Sequence, residues 1–477
     1  MNGVFTAQQV RDAEAALMAR VPDGTLMRRA AFGLAVHARR MLGRTAGSRV
    51  ALLVGAGDNG GDALWAGVEL RRRGVAVTAV LLSPERAHAA GLAAFLRAGG
   101  RTCAATAGPA VVARADLVLD GIVGISGRGG LRPDAAALVA AAAGRPVLAV
   151  DLPSGVDADT GAVEGEAVTA TETVTFGARK PVHVLAAPRC GPVHLVDIGL
   201  APFLPSPHAQ VLEAADVAAR WPVPGPSDDK YSQGVVGIAA GSDVYPGAAV
   251  LATGAAVLAT SGLVRFAGSA APGVRARWVE VLATADIPSA GRTQAWAVGP
   301  GIGTDDAGRA VLEAALATGV PLVIDADGTT LLARHPDLRA AVRGRPVLLT
   351  PHAGEFARLA GDVGADRVAA TRRAAAGLGV TVLLKGNATV VADPDGRALV
   401  HPSTGSWAAT AGSGDVLTGI AGALLAAGLD PWWAGGCAAD VHARAADLAA
   451  DGAPAPASAI QAAIPAAIRA VRVDRAL

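Results

Sequence analysis

Residues 49–82 read RVALLVGAGDNGGDALWAGVELRRRGVAVTAVLL, and this stretch decides the fold class. It predicts an apolar strand at 49–57, a helix at 62–74 and a second apolar strand at 75–82. The strand-like runs ADLVLDGIVG (115–124) and PVLAVDLP (146–153) follow, with helical patterns between them. Apolar strands that alternate with helices predict a parallel sheet covered on both faces.

The same alternation returns in the second half of the 477 residues. Its strand-like runs are VVGIAAG (235–241), AWAVGPGIG (295–303), PLVIDADG (321–328), PVLLTPHAGE (346–355) and VTVLLKGNATVVADP (380–394). Between about 200 and 230 the chain is rich in proline, which is typical of a connection between domains. We therefore expect two α/β domains, residues 1–208 and 209–477.

Composition excludes several classes of function. The formal net charge is +1 and aromatic residues make up 3%, so neither a basic nucleic-acid surface nor a base-stacking platform is expected. The apolar run at 244–264 is long enough to span a bilayer, but Ala, Gly, Thr and Ser dominate it. We expect a buried helix there, no membrane partner and a cytoplasmic protein. Cys103, Cys190 and Cys437 show neither metal-ligand nor disulfide spacing.

The block VGAGDNGGDALWAG (54–67) carries the first candidate site. A glycine-rich turn before a helix lets backbone N–H groups approach a phosphate. Asp58 and Asp62 would repel that phosphate unless a cation lies nearby, and oxygen ligands such as that of Asn59 suit a hard cation. The competing interpretation is a tight turn with Asp62 as the helix N-cap.

Two further acids, Asp120 and Asp151, end predicted strands of the first half. Ligands of parallel sheets collect outside the carboxyl ends of the strands, so these acids could converge on one crevice. An acid there can act as a general base on a carbon acid or a hydroxyl.

The first half resembles the N-terminal epimerase domain of NAD(P)H-hydrate repair enzymes. The resemblance rests on FTAQQVRDAEAALMARVPDGTLMRRAA (5–31), GDNGGD and DLPSGVDADTG (151–161). It implies a Rossmann-like three-layer α/β/α domain that interconverts the R and S hydrates at C6 of the nicotinamide ring. By position it implies K⁺ ligands at Asn59, Asp120 and Ser154, and a substrate contact near the chemistry from Asp151. The implied hydrate-binding residues are Asp58, Asn59, Gly60, Gly61, Asp62, Gly124, Ile125, Ser126, Gly127, Arg128, Gly129 and Gly130.

The second half carries four strand-end motifs: GPGIGTD (299–305), TPHAGE (350–355), KGNAT (385–389) and AGSGDVL (411–417). In the last, small residues leave backbone N–H groups free to line an anion hole, and the following helix adds its positive dipole end. Asp415 could accept a proton from a hydroxyl that attacks a phosphoryl group. Taken alone, Asp415 could instead be an N-cap, His352 a structural or surface histidine, and Lys385 a solvated strand-end charge.

This combination looks like the ribokinase-like superfamily, specifically its NAD(P)H-hydrate dehydratase branch. KYSQGVVGIAAGSDVYPGAAVLATGAAVLATSGLVRF (230–266), TPHAGE and AGSGDVLTG carry the resemblance. It implies a ribokinase-like α/β/α domain that uses ADP or ATP as phosphoryl donor, with Mg²⁺. Asp415 would be the base that activates the C6 hydroxyl before phosphate is eliminated. The implied hydrate contacts are Ala248, Gly303, His352 and Asp415, and the implied nucleotide contacts are Lys385, Gly386, Asn387, Ala388, Thr389 and Gly414.

The leading hypothesis is a bifunctional repair enzyme that epimerises NADHX and NADPHX and dehydrates the S form to NAD(P)H. ADP or ATP would be consumed, with release of AMP or ADP and phosphate, and the family tends to form homo-oligomers. One alternative is a small-molecule kinase, for example one acting on a hydroxymethylpyrimidine. A second makes the first half a non-catalytic nucleotide-sensing or partner-binding module, since Asp58 and Ala63 stand where the family usually has Asn and Gly. The sequence leaves the donor and the oligomeric state open.

Overall fold

The computed structural model describes residues 1–260, 262–402 and 405–473. The chain divides into two compact units. The N-terminal unit comprises Gly3–Ala209, and the C-terminal unit begins at Gln210 and includes Met1–Asn2.

The N-terminal unit is built on a seven-stranded parallel sheet. After a short strand at the chain start, β1 (Asn2–Val4), its strands are β2 (Arg49–Val54), β3 (Ala76–Leu81), β4 (Arg101–Ala104), β5 (Leu117–Gly121), β6 (Val147–Val150), β7 (Glu172–Phe176) and β8 (Val193–Val196). The helices are α1 (Ala7–Met18), α2 (Thr25–Leu42), α3 (Asp58–Arg71), α4 (Ala89–Arg97), α5 (Gly108–Val112), α6 (Pro133–Ala141), α7 (Val182–Leu185) and α8 (Ala187–Cys190). Short 3₁₀ turns occupy Pro84–Arg86, Ala105–Ala107 and Ala201–Phe203.

The strand order β4-β3-β2-β5-β6-β7-β8 reverses direction between β2 and β5. Alternate residues of β2 enter different cores, since Leu52 packs with Leu34 of α2 whereas Leu53 packs with Leu138 of α6. Helices therefore cover both faces, and the predicted three-layer α/β/α class is confirmed. The reversal creates a crevice at the carboxyl ends of β2 and β5, where ligands of such sheets bind.

The C-terminal unit has a second, mainly parallel sheet with the strand order β9-β18-β17-β16-β15-β14-β13-β10-β11-β12. Its strands are β9 (Ala209–Val211), β10 (Val235–Ala239), β11 (Leu263–Ala267), β12 (Leu282–Thr284), β13 (Ala295–Val298), β14 (Leu322–Ile324), β15 (Val347–Leu349), β16 (Thr381–Leu384), β17 (Ala388–Ala392) and β18 (Ala398–Pro402). The helices are α9 (Ala214–Arg220), α10 (Pro246–Ala259), α11 (Ala271–Arg277), α12 (Asp306–Ala317), α13 (Ala326–Arg334), α14 (Pro336–Val342), α15 (Ala353–Ala360), α16 (Arg367–Leu378), α17 (Ser413–Ala426), α18 (Pro431–Ala450) and α19 (Ala457–Val473), with a 3₁₀ turn at Pro288–Ala290.

The run VTVLLKGNATVVADP folds as a hairpin, and KGNAT begins directly after its first strand. β16 and β17 are antiparallel, and Lys385, Gly386 and Asn387 form the turn between them. A strand of 15 residues would be far longer than the usual five or six, and the glycine and asparagine in the middle of the run favour a turn.

Neither Asp62 nor Asp415 is the N-cap residue of its helix. α3 begins at Asp58 after Gly57, whose φ of 87° lies in the left-handed region, so Asp62 sits in the second turn and is not the N-cap. α17 begins at Ser413 after Gly412, and Asp415 is its third residue. Both N-cap interpretations are wrong, because a glycine in a left-handed conformation starts each helix.

Small side chains let α17 approach its neighbours closely. A Cβ on Gly419 would lie 2.1 Å from the carbonyl oxygen of Ala252 in α10, and a Cβ on Gly422 would lie 2.8 Å from the Ala297 Cβ in β13. The apolar run at 244–264 therefore contains a buried helix, as expected. None of the helices within the described ranges combines the length and apolarity needed to cross a bilayer.

We predict that Gly419→Ala destabilises the C-terminal unit by about 1–3 kcal/mol, because the new methyl group forces α17 away from α10. Gly377→Ala is the control, since a Cβ on this exposed glycine of α16 meets nothing within 4 Å. It should be neutral or stabilise by up to about 1 kcal/mol through helix propensity. Calorimetric thermal unfolding measures both, and equal effects would contradict the close packing of α17.

Candidate active sites

A buried ion pair lies at the carboxyl end of β6 in the N-terminal unit. The Nζ atom of Lys180 lies 2.5 Å from Oδ1 of Asp151. It also donates to the Thr175 hydroxyl at 2.9 Å and to the Phe176 carbonyl at 3.3 Å. All three ammonium donors of this lysine, which is 1% exposed, thus have a partner.

His183 fixes the backbone of Asp151. Its Nδ1 accepts the backbone N–H of Lys180 at 3.0 Å, so its Nε2 carries the proton and donates to the Asp151 carbonyl at 2.8 Å. Burial lowers the pKa of His183 to about 4, and the ring is neutral at physiological pH. This bond holds Asp151 at a φ of 70°, a left-handed conformation that costs most side chains energy.

Asp151 is ionised despite its burial. Burial raises the pKa of its carboxyl, but the Lys180 ammonium, its hydrogen bond and the Thr175 hydroxyl together hold that pKa below its ordinary value. Within the described ranges no group donates a hydrogen bond to Oδ2 of Asp151. One oxygen of a carboxylate that is ionised at neutral pH therefore remains available as a base.

The pKa of Asp62 is shifted in the opposite direction from that of Asp151. Burial, followed by the charges of Asp151 and Asp58, raises the pKa of Asp62 well above its ordinary value. Its Oδ1 is buried and has no hydrogen-bond partner among the described residues. Burial also raises the pKa of Glu14. Neighbouring carboxyl groups whose pKa values are driven apart can act as acid and base of one reaction.

Seven of the twelve predicted hydrate-binding residues line two cavities. Glu14, Asp58 and Asp62 line the first, of about 550 Å³, together with the start of α2. The loop residues 126–130 line the second, of about 470 Å³, which also contains Arg86 and Arg132. Gly124 lies against the Asn59 side chain, and the Ile125 carbonyl accepts a bond from Arg11 at 2.8 Å. The structure thus separates the predicted set into an acidic cavity and a cationic, amide-rich one.

Gly60 and Gly61 have a packing role in the same region. A Cβ on Gly60 would lie 2.4 Å from the Gly55 carbonyl oxygen, and one on Gly61 would lie 2.9 Å from the His88 ring. These glycines allow α3 to begin directly at the end of β2, where its first N–H groups face the crevice.

The predicted K⁺ ligands meet near Val123. Oδ2 of Asp120 accepts the Ser154 N–H at 2.8 Å, and Oδ1 accepts the Ser154 hydroxyl at 2.7 Å. The Asn59 side chain lies beside Gly124, and its Nδ2 is buried without a partner among the described residues. Burial raises the pKa of Asp120 to about 6, so a nearby cation would favour its charged form. One carboxylate with neutral oxygens is a donor set that fits a hard monovalent cation.

The C-terminal unit has its own ion pair at the carboxyl end of β14, between a half-buried lysine and a buried aspartate. Lys385 Nζ lies 2.7 Å from Oδ1 of Asp325, and the Thr418 hydroxyl donates to Oδ2 at 2.7 Å. Asp325 is 1% exposed. The next residue, Ala326, has a φ of 49°, and this turn brings Asp327 to the Gly303 N–H at 3.0 Å.

Asp415 lies beside this pair in the first turn of α17. Burial, then the negative charge of Asp325, raises the pKa of Asp415 to about 6, and the Lys385 ammonium partly offsets the rise. Within residues 1–260, 262–402 and 405–473, no hydrogen-bond donor reaches its carboxylate. Asp415 is therefore a base that is ionised at neutral pH and poised to take up a proton.

The first turn of α17 lies beside the Lys385 ammonium group. A Cβ on Gly414 would lie 3.3 Å from Lys385 Nζ, so the absence of a side chain there opens space beside the ammonium group. His442 holds the first turn through its Nε2, which lies 2.9 Å from the Ser413 hydroxyl. A fixed helix N-terminus with a lysine beside it is suited to bind phosphate.

The remaining predicted residues divide between this cluster and the surface. Ala248 lies against the loop that carries Gly303, with its Cβ 3.3 Å from a Cβ placed on Gly301. His352 is the N-cap of α15: its Nδ1 accepts the Gly354 N–H, and its side chain is 56% exposed. In the described chain no hydrogen bond or ion pair joins His352 to the Asp415 cluster. Gly386 and Asn387 are exposed in the hairpin turn, whereas Ala388 is buried and Thr389 half-buried in β17.

Sequence reasoning missed both partners that complete the sites, Lys180 and Asp325. A signal for the lysine was present, because the chain contains only three lysines and the other two are Lys230 and Lys385. Lys230 is exposed, whereas each of the others pairs with a strand-end aspartate. In a chain that otherwise uses arginine, a retained lysine indicates a place where a compact ammonium group is needed.

Family models match both halves of the chain. The model of NAD(P)H-hydrate dehydratases matches residues 236–466, and that of the N-terminus of YjeF-related proteins matches residues 23–182. The bifunctional NAD(P)H-hydrate repair enzyme of Mycobacterium tuberculosis is 60% identical over 438 residues, which cover 90% of each chain. That of Mycobacterium leprae is 58% identical over 457 residues, or 94% of each chain.

A solved structure resembles the C-terminal unit in fold. It is a ribokinase-like superfamily protein of Enterococcus faecalis, 23% identical, with a TM-score of 0.51. The match covers 55% of this chain and 96% of that one.

We predict that Lys180→Met destabilises the N-terminal unit by about 3 kcal/mol or more, because it leaves the Asp151 carboxylate buried without its cation. The double variant Asp151→Asn/Lys180→Met should recover much of this loss, since it removes the charge and asparagine tolerates a positive φ. Thermal unfolding of the single and double variants measures both effects. A double variant as unstable as Lys180→Met would contradict the role of the pair.

Proposed function

The chain belongs to the family of bifunctional NAD(P)H-hydrate repair enzymes, and from this premise we propose how its residues divide the two reactions. It epimerises the R and S hydrates of NADH and NADPH and dehydrates the S form to NAD(P)H. We assign epimerisation to residues 1–208 and dehydration to residues 209–477. One observation carries this assignment: each unit places a proton-exchanging carboxyl group beside a buried lysine–aspartate pair at its strand ends.

For epimerisation we propose that Asp62 is the acid and Asp151 the base. The C6 hydroxyl of the hydrate lies next to the ring nitrogen, so it can leave as water once protonated, and the nitrogen lone pair stabilises the resulting cation. A protonated Asp62 supplies that proton. When water returns to the other face of C6, the free oxygen of Asp151 accepts a proton from it, and the opposite epimer forms. The raised pKa of Asp62 and the lowered pKa of Asp151 support these roles.

The cavity lined by the 126–130 loop suits the phosphates of the dinucleotide. Arg86 and Arg132 supply positive charge there, and the glycines of the loop expose backbone amides. Asn59, Asp120 and Ser154 would hold K⁺ close to this loop. A bound K⁺ would supply a fixed positive charge in the crevice between β2 and β5.

For dehydration we propose that Asp415 removes the proton of the C6 hydroxyl as its oxygen attacks the terminal phosphoryl group of ADP or ATP. The C6–O–P bond forms, and AMP or ADP leaves. The C6–O bond then breaks with loss of phosphate, and a proton lost from C5 restores the ring double bond. Lys385 and the N-terminal amides of α17 stabilise the charge on the transferring group.

The nucleotide carries Mg²⁺ in such reactions, and Asp327 is the carboxylate we assign to it. Its Oδ2 accepts the Gly303 N–H, and its Oδ1 has no donor within the described residues. One carboxylate beside nucleotide phosphates is a common set of Mg²⁺ ligands. Mg²⁺ bound there would neutralise phosphate charge.

The other contacts stay proposals on the same basis. Ala248, Gly303 and the exposed ring of His352 would contact the hydrate. The hairpin segment 385–389, with Gly414, would contact the nucleotide. We also propose that the enzyme acts as a homo-oligomer in the cytoplasm, where the nicotinamide cofactors it repairs are used.

We predict that the wild-type protein converts a mixture of R- and S-NADHX completely to NADH when ADP or ATP is supplied. Asp415→Asn should abolish NADH formation and leave R-to-S exchange intact, because it removes only the dehydration base. Asp151→Asn should do the converse and convert only the S fraction rapidly. NADH absorbance follows dehydration, and chromatographic separation of the two epimers follows exchange.

Each alternative gives a different result in this experiment. A phosphorylated product without NADH would favour the small-molecule kinase. Loss of both activities in Asp415→Asn, with the fold preserved, would contradict two separate sites. A wild-type chain that cannot exchange the epimers would favour the non-catalytic N-terminal module.

The pH dependence of dehydration should report Asp415. Because its raised pKa is about 6, the basic form is lost below that pH, and kcat/KM should fall about tenfold per pH unit there. Lys385→Met should move this acid limb to higher pH, since the ammonium of Lys385 lowers the pKa of Asp415. A limb that stayed near the ordinary carboxyl value of about 4 in both proteins would contradict the assignment.

A further inference from the structure

Three potential metal ligands meet in the N-terminal unit on the face of the sheet covered by α2. His37 lies on α2, Glu172 begins β7, and His194 lies on the edge strand β8. His194 pairs in register with Val174, so its side chain points to the same face as Val174 and, by the period of two, as Glu172. Val174 packs in the core formed with α2.

The three side chains are already in contact. The Nε2 of His194 lies 2.6 Å from Oε2 of Glu172. The His37 and His194 rings stack with centroids 4.4 Å apart and an interplanar angle of 30°. One ligand atom from each residue lies within 4.8 Å of those of the other two.

We propose that His37, Glu172 and His194 form a binding site for one divalent transition-metal ion such as Zn²⁺. Two imidazole nitrogens and one carboxylate oxygen are an established set of zinc ligands, with a fourth position left for water. Two rings that share an ion at about 2.1 Å have centroids roughly 4.5–5.5 Å apart, close to the observed separation. One ion needs ligand atoms roughly 3.5 Å apart, so the His194–Glu172 contact of 2.6 Å has to open and the widest separation of up to 4.8 Å has to close, each by about 1 Å. The half-buried side chains can make these shifts.

The charge of the site suits a metal ion. Each histidine ring offers a nitrogen atom, and one ligand atom from each of the three side chains already lies within 4.8 Å of the other two. A neutral imidazole is the form that binds metal. Glu172 supplies the negative charge that offsets part of the charge of the ion.

This site is distinct from the cation sites of the two reactions. K⁺ and Mg²⁺ prefer sites made entirely of oxygen, whereas imidazole nitrogen selects ions such as Zn²⁺. None of the three ligands lines either described cavity or contacts the Asp151 pair. A bound ion would join α2 to the last two strands of the sheet, and the start of the same helix lines the acidic cavity.

Titration calorimetry of the untagged, metal-free full-length protein with Zn²⁺ at neutral pH tests the site. We expect one Zn²⁺ per chain, no displacement of the bound Zn²⁺ by Mg²⁺, and visible d–d absorption when Co²⁺ replaces Zn²⁺. His37→Asn, Glu172→Gln and His194→Gln should each weaken Zn²⁺ binding by about tenfold or more. His335→Gln is the control, because His335 lies in the other unit and contacts Arg309, and its affinity should equal that of the wild type.

A second measurement separates lost binding from lost structure. Zn²⁺ should raise the Tm of the wild type but not that of His194→Gln, and the metal-free variant should retain both repair activities. If His194→Gln does not fold, His37→Asn provides the same comparison. Absence of stoichiometric Zn²⁺ binding, or binding that survives both histidine substitutions, would overturn the proposal.

Discussion

A lysine ammonium buried against a strand-end aspartate is the interaction on which both sites depend. Removing a carboxylate from water costs several kcal/mol, and only a well-placed cation with further hydrogen bonds offsets that cost. Lys180 meets this requirement with three acceptors, and Lys385 meets it with Asp325, whose second oxygen is held by Thr418. If either ammonium were lost, the aspartate would take up a proton or turn toward water.

The two pairs have opposite chemical consequences. In the N-terminal unit the paired aspartate, Asp151, is itself the proposed base, and its charge helps to keep Asp62 protonated. In the C-terminal unit each carboxylate oxygen of the paired Asp325 accepts a hydrogen bond, and its charge raises the pKa of the neighbouring Asp415. The same type of ion pair thus has two effects. In the N-terminal unit it separates the pKa values of two carboxyl groups, and in the C-terminal unit it raises the pKa of a single base.

Backbone strain and close helix packing bring these groups together. Asp151 adopts a positive φ directly after β6, and Ala326 does so one residue beyond Asp325 at the end of β14, at a cost of order 1–3 kcal/mol each. The composition rich in alanine and glycine has a function here as well. Gly419 and Gly422 let α17 lie close to α10 and β13, and this contact sets where the helix presents its N-terminal amides and Asp415.

The sequence by itself determined the two α/β units, the strand-end positions of Asp120 and Asp151, the position of Asp415 at the start of a helix, and the family, because hydrophobic periodicity and short motifs are local properties of the chain. It placed the start of α3 four residues late and did not indicate the antiparallel pairing of β16 with β17, since glycine conformation and strand pairing depend on the surroundings. Only the tertiary structure decided which groups pair. Lys180 and Asp151 are 29 residues apart, Lys385 and Asp325 are 60 apart, and Thr418 and Asp325 are 93 apart. Burial and charge act through space, and for that reason the ionisation state of each acid came from the fold and not from its motif.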